Sequence, residues 1–192
     1  MVEAGDERRR RLEEAALGVF LRWGFRKASM DEVAQAAGVS RQALYLHFAT
    51  KEALFRAAVG RFFDDGQSAV DAALGDASTT LEARLLGAFE AWVGRHVGAH
   101  GGHADDLAAA ATEHAGELVT AREGAFVESV AQAMRRGGLA AAYRPTRLTA
   151  RQLAETLYAT ARGLKHGSSS EGFTRSMTVA VRAMCAPLKQ EE

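Results

Sequence analysis

The sequence predicts an all-α protein of about nine helices, and three observations carry that prediction. Only 2 of the 192 residues are Pro, while Ala, Leu, Glu and Arg, all good helix formers, are abundant. Apolar residues recur at three- and four-residue spacing along most of the chain. Ser or Thr followed three positions later by Glu or Gln, a signature of helix starts, occurs at Ser29/Glu32, Thr79/Glu82, Thr149/Gln152 and Ser168/Glu171. Apolar side chains make up 47% of the chain and charged ones 25%, which fits a folded soluble protein and excludes a disordered one.

The first helix spans 7–23, with Leu12, Ala16, Val19, Phe20 and Trp23 on one stripe and Gly24 as its left-handed stop. Ser29 and Glu32 open a second helix that ends near Ala37 and buries Met30, Val33 and Ala37. Gly38 turns the chain, Val39 plugs the angle, and Ser40 caps a third helix over 41–47 with Ala43, Leu44 and Phe48 inward. Thr50 caps a fourth helix, from Lys51 to about Leu74, buried through Leu54, Phe55, Ala58, Val59, Phe62 and Phe63. Thr79 and Glu82 open a helix to about Val97, broken by Gly98, Gly101 and Gly102. Residues 104–115 read as a short Ala-rich helix, and 117–136 as a longer one that ends at Gly137 and Gly138. Pro145 lies in a connector, and Thr149 and Ser168 open the last two helices. The division expected is a helix-turn-helix domain over 1–55, with the fourth helix bridging to about 74, and a second domain over 56–192.

The net charge is +0, but it is unevenly spread. Residues 1–61 hold 11 Lys/Arg against 8 Asp/Glu, and the rest hold 13 against 16, so the basic excess sits in the N-terminal third. An excess this small means that any non-specific binding to a polyanion would be weak and salt-sensitive. A single cysteine, Cys185, fits a reducing, cytoplasmic interior and reads as a small buried or interface side chain. No run approaches the roughly 20 apolar residues of a membrane span, and the N-terminus lacks the apolar core of a signal peptide.

Residues 24–55 carry the chemistry. Two short helices joined at Gly38 present Arg41 and Gln42 in the first turn of the third helix, where a helix-turn-helix reaches base edges. Tyr45, His47 and Lys51 can donate to phosphates, which fix register without reading sequence. Arg8 to Arg11 read equally as a phosphate-seeking arm or a solvated helix start.

These residues, namely Gly24–Phe25, the run from Val33 to Ser40, the run from Leu44 to Phe48, and Lys51–Glu52–Ala53–Leu54, resemble without gaps the N-terminal domain of the tetracycline-repressor-like (TetR) transcription regulators. The resemblance covers about the first third of the chain. It implies a homodimer on a palindromic, double-stranded operator and a C-terminal domain that binds a small-molecule effector and releases the DNA. It implies base contacts from Arg41, Gln42 and Ala43, and phosphate contacts from Tyr45, His47 and Lys51. Ser40 lies in the same motif. Many relatives carry Thr where this chain has Ala28, so Lys27 or Ser29 would supply that phosphate contact here.

An apolar effector pocket is sketched from Leu85, Phe89, Trp92, Leu107, Phe126, Val130, Met134, Tyr143 and Tyr158, with Glu90, Glu113, His114 and Arg162 as polar candidates. Plain core is the competing reading for each of them. Two stripes at the end of the chain suggest a dimer interface: Leu153, Leu157, Ala161 and Leu164, then Phe173, Met177, Val181, Met184 and Leu188. No cofactor or resident metal is expected, nor any catalysed reaction. The alternatives are a metal sensor using His96, His100 and His103, a segment that Gly98, Gly101 and Gly102 make a loop, and a small helical enzyme with a vestigial helix-turn-helix.

Overall fold

The computed structural model describes residues 2–94, 97, 103–165 and 169–189. These form nine α-helices and no strand: α1 (Val2–Lys27), α2 (Met30–Ala36), α3 (Arg41–Tyr45), α4 (Lys51–Gly75), α5 (Leu81–Trp92), α6 (Ala104–Arg136), α7 (Leu139–Ala142), α8 (Ala150–Lys165) and α9 (Ser170–Cys185). They group into two compact units, 1–65 with 100–121, and 66–99 with 122–192. None of the described helices is long and apolar enough to cross a membrane.

In the first unit, α1 does not stop at Gly24 as predicted. Gly24 has a positive φ of 76°, but its ψ of 169° lies in an extended region open essentially to glycine alone rather than in a left-handed helical cap. The chain kinks there and makes one more helical turn, which the Ala28 N–H closes on the Gly24 carbonyl at 3.3 Å. The kink turns Trp23 outward, 42% exposed beneath the Arg22 guanidinium, and sends Phe25 into the core in its place. Phe25 then meets Phe55 at 4.9 Å and Phe20 at 5.9 Å.

Capping fixes the next three helices. The Ser29 hydroxyl accepts from the Glu32 N–H while the Glu32 carboxylate accepts from the Ser29 N–H, the reciprocal pair that starts α2. The Ser40 and Thr50 hydroxyls accept from the N–H groups of Ala43 and Ala53. Gly38, at φ 66°, makes the turn between α2 and α3. The shared core gathers Leu12, Phe20, Val33, Leu44, Leu54 and Phe55, and the α6 residue Ala110 joins it.

In the second unit α5 starts one residue later than predicted. Thr80, not Thr79, caps it by accepting from the Ala83 N–H, and Glu82 is turned instead to the Arg182 Nε at 2.7 Å. The two helices read over 104–136 are one. An interior glycine costs only about 1 kcal/mol relative to alanine, too little for Gly116 to end a run this rich in Ala, Leu and Glu. It ends where Gly138 turns left-handed at φ 79°; at Gly137, just before it, a Cβ would stand 2.7 Å from a Leu81 methyl. Thr149 and Gln152 form a full capping box before α8, and Ser169 caps α9. Helix α9 packs against α5 and α8.

Candidate functional site

The exposed side of the helix-turn-helix is short and mostly polar, with Leu46 its apolar exception. Lys27, Arg41 and Gln42 are exposed, Tyr45 is 39% exposed, and Ser29, Ala43 and His47 are half-buried. Ser40 spends its hydroxyl on the α3 cap. Arg41 lies 2.9 Å from Asp31 and 5.4 Å from the centre of the Tyr45 ring. Tyr45 first, and then Asp31, push its pKa above the ordinary arginine value. Asp31 of α2 and Tyr45 of α3 thus both engage the Arg41 guanidinium.

Lys51 makes contacts within the chain that its sequence position did not signal. Its ammonium donates to the carbonyls of Phe25 at 3.0 Å and Ala28 at 3.1 Å, with the Arg26 carbonyl at 3.5 Å. It also lies 4.5 Å from the centre of the Phe25 ring. An ammonium has three donors. Here they meet the carbonyl end of the turn that follows the Gly24 kink.

Asp106, in the first turn of α6, holds the other end of that turn. Its carboxylate accepts from the Arg26 backbone N–H at 3.1 Å and from the Arg26 Nε at 2.6 Å. The backbone N–H of Arg26, and then its guanidinium, hold the Asp106 carboxyl below its ordinary pKa. The turn over residues 25–28, which leads directly into α2, is clamped between an anion at its N–H end and a cation at its carbonyl end, as the helix dipole favours. Sequence reasoning missed Asp106 because its partner lies 80 residues away.

The effector candidates divide. Leu85, Phe89, Phe126, Val130 and Met134 are wholly buried. Phe126 stacks on Trp92 at 4.8 Å and touches Phe89 at 5.2 Å and Tyr158 at 5.6 Å. A polar edge borders this cluster. Burial, and then a hydrogen bond to Glu123, push the Tyr158 phenol far above its usual pKa. Arg162 approaches Glu123 at 3.9 Å, and burial lowers the Lys165 pKa. Three candidates do not belong with this cluster: Leu107, Glu113 and His114 lie in the first unit, where His114 packs 4.9 Å from Phe25 and Leu107 packs on the core. Tyr143 is occupied elsewhere, donating to the Met184 carbonyl at 3.0 Å. A separate polar cleft of about 250 Å³, lined by Asp71, Ser129, Gln132 and Arg136, carried no sequence signal.

The expected dimer stripes need correction. Leu153, Leu157, Ala161, Phe173, Met177 and Val181 are at most 4% exposed within a single chain, and Leu164 and Met184 are half-buried. The stripes on α8 and α9 face their own subunit, because α9 packs against both α5 and α8. The outward faces are instead Thr156, Ala159 and Gly163 on α8 and Ser176, Val179 and Ala183 on α9, with Val179 65% exposed.

His96 and His100 lie outside the described residues, and His103 sits beside Gly24. Among the described residues no three His, Cys, Asp or Glu side chains gather as metal ligands would. Nothing supports the metal-sensing alternative.

Residues 12–58 match the family model for bacterial regulatory proteins of the tetR family. The chain is 44% identical over 87 residues to the HTH-type transcriptional activator FasR of Mycolicibacterium smegmatis, an alignment covering 45% of this chain and 39% of that one. It is 34% identical over 83 residues to the HTH-type transcriptional repressor DhaR of Mycobacterium sp. strain GP1, covering 43% and 42%. The chain thus spans about two fifths of the length of these curated relatives. The fold is similar across nearly the whole chain to a crystal structure described as a TetR-family transcriptional regulator from Rhodococcus sp., with a TM-score of 0.71 at 21% identity over 93% of this chain and 98% of that one.

Proposed function

We infer that this chain, whose residues 12–58 match the family model for bacterial regulatory proteins of the tetR family, is a dimeric transcription regulator that binds a palindromic operator and is released from it by a small-molecule effector. The observation that carries the inference is the exposed face of α3, where Arg41, Gln42 and Tyr45 stand on a helix anchored by Leu44 and Phe48. Such a helix enters the major groove with its first turn toward base edges. Lys27, Ser29 and His47 flank it for phosphates. One relative is named an activator and another a repressor. Repression is the family default and our choice.

The effector reading rests on the aromatic cluster of Trp92, Phe126 and Tyr158 with its polar edge of Glu123 and Arg162. A ligand there must part packed rings. Helices α4 and α6 supply residues to both compact units, so they are the elements through which that displacement would reach the helix-turn-helix. Linkage requires DNA to weaken effector binding by the same factor that effector weakens DNA binding.

Selection of bound fragments from genomic DNA tests the DNA reading. The wild-type chain is expected to enrich a palindrome, and a Gln42→Ala/Tyr45→Ala chain with an unchanged helical circular-dichroism spectrum to enrich nothing. Equal enrichment by both chains would sink the assignment of this face.

For the dimer we propose the outward faces of α8 and α9 around Val179. Val179→Asp should shift sedimentation from dimer to monomer with an unchanged helical circular-dichroism spectrum, because the side chain is largely solvent-exposed in one subunit. A dimer of undiminished affinity would place the interface elsewhere.

A further inference from the structure

Leu46 is 86% exposed, well beyond any other large apolar side chain described. It lies on the DNA-binding segment, yet neither the motif chemistry nor the capping of α3 uses it. Its backbone is still helical: φ is −65°, ψ is −26°, and its N–H donates to the Gln42 carbonyl at 3.1 Å. The Phe48 N–H donates to the Leu44 carbonyl in the same manner, so the helical path continues to Phe48. At about 100° per residue, the buried pair Leu44 and Phe48 marks the core side of this path, and Leu46 stands opposite the midpoint between them. Gln42 and Ala43 flank it. The residue that projects furthest from the core is therefore a branched hydrocarbon, with an amide one helical turn away.

In the major groove the only apolar group that distinguishes one base from another is the thymine C5-methyl. Glutamine at the neighbouring position has the donor–acceptor pair that matches the adenine N6 and N7 edge. A leucine in that position can neither donate nor accept a hydrogen bond, so it favours the methyl and disfavours a bare polar edge. We propose that Leu46 is a specificity-determining residue that reads a thymine methyl, and that each operator half-site carries an A·T pair beneath the Gln42/Leu46 face. This rests on the DNA-binding reading above and deepens it.

The test uses duplexes recovered by the full chain from a random-sequence library. Each thymine of one half-site is replaced in turn by deoxyuridine, which removes the methyl and leaves every hydrogen-bonding group in place. One position is expected to weaken wild-type binding about fourfold, the order expected for losing one buried methyl group. The Leu46→Ala chain should bind the dT and dU duplexes equally, and because the side chain is exposed its fold should be unaffected. Two results would overturn the proposal while leaving DNA binding intact: no thymine is sensitive to deoxyuridine, or Leu46→Ala keeps the full deoxyuridine penalty, in which case the Ala43 methyl is the reader. Recovery of no duplex by the wild-type chain would overturn the DNA-binding reading itself.

Discussion

Lys51→Met is expected to destabilise the N-terminal unit by about 2 to 3 kcal/mol and to leave the salt slope of DNA binding unchanged. The stability loss follows from the carbonyls of Phe25 and Ala28, which are part-buried and receive the ammonium at 3.0 and 3.1 Å. Hydrogen bonds from a charged donor contribute about 1.5–3 kcal/mol, and methionine leaves those acceptors without their partner while preserving most of the side-chain volume. The salt slope separates this role from phosphate binding. A lysine that neutralises one phosphate contributes about 0.9 to the slope of log K against log salt. A clamp for a turn contributes nothing to it. Chemical denaturation together with binding titrations at several salt concentrations reads both quantities. A slope reduced by nearly one unit with unchanged stability would return Lys51 to the phosphates.

The clamp also shows which features are legible in the sequence. Helix starts were legible where the signal is local: Ser29/Glu32 and Thr149/Gln152 form the hydrogen bonds their spacing implies. Where two candidate caps adjoin, at Thr79 and Thr80, spacing alone chose the wrong hydroxyl, because Glu82 is drawn to Arg182 a hundred residues later. The exposed face of α3 was legible because a dense motif and helical periodicity agree over the same few residues. The faces of α8 and α9 were legible as buried but not in what they bury against. An apolar stripe reports only that a side leaves water. Phe173, Met177 and Val181 look the same in sequence whether α5 and α8 or a second subunit covers them. The placement of Asp106 against Arg26 is non-local in the same way, and the chain around either residue gives no hint of it.

Gly24→Ala is expected to cost about 2 kcal/mol or more in stability and to weaken operator binding with it. Two independent effects add. A residue with a Cβ held at φ 76°, ψ 169° carries backbone strain of about 1–3 kcal/mol. The new Cβ would also stand 2.5 Å from the Asp106 Oδ2, nearer than any real contact, so the carboxylate must withdraw. Withdrawal breaks its hydrogen bonds to Arg26 and frees the N–H end of the turn that delivers α2. The two effects separate in a double-mutant cycle with Asp106→Ala. If the carboxylate is the obstacle, Gly24→Ala costs less in the Asp106→Ala background than in the wild type, and the residue of its cost is the strain alone. If the cost is the same in both backgrounds, the carboxylate presses on nothing and Gly24 is required only for its dihedral angles. DNA affinity discriminates further. Asp106→Ala alone removes the anion from the turn without straining the backbone, so any loss of operator binding it causes measures how far the N-terminus of α6 sets the pose of the helix-turn-helix.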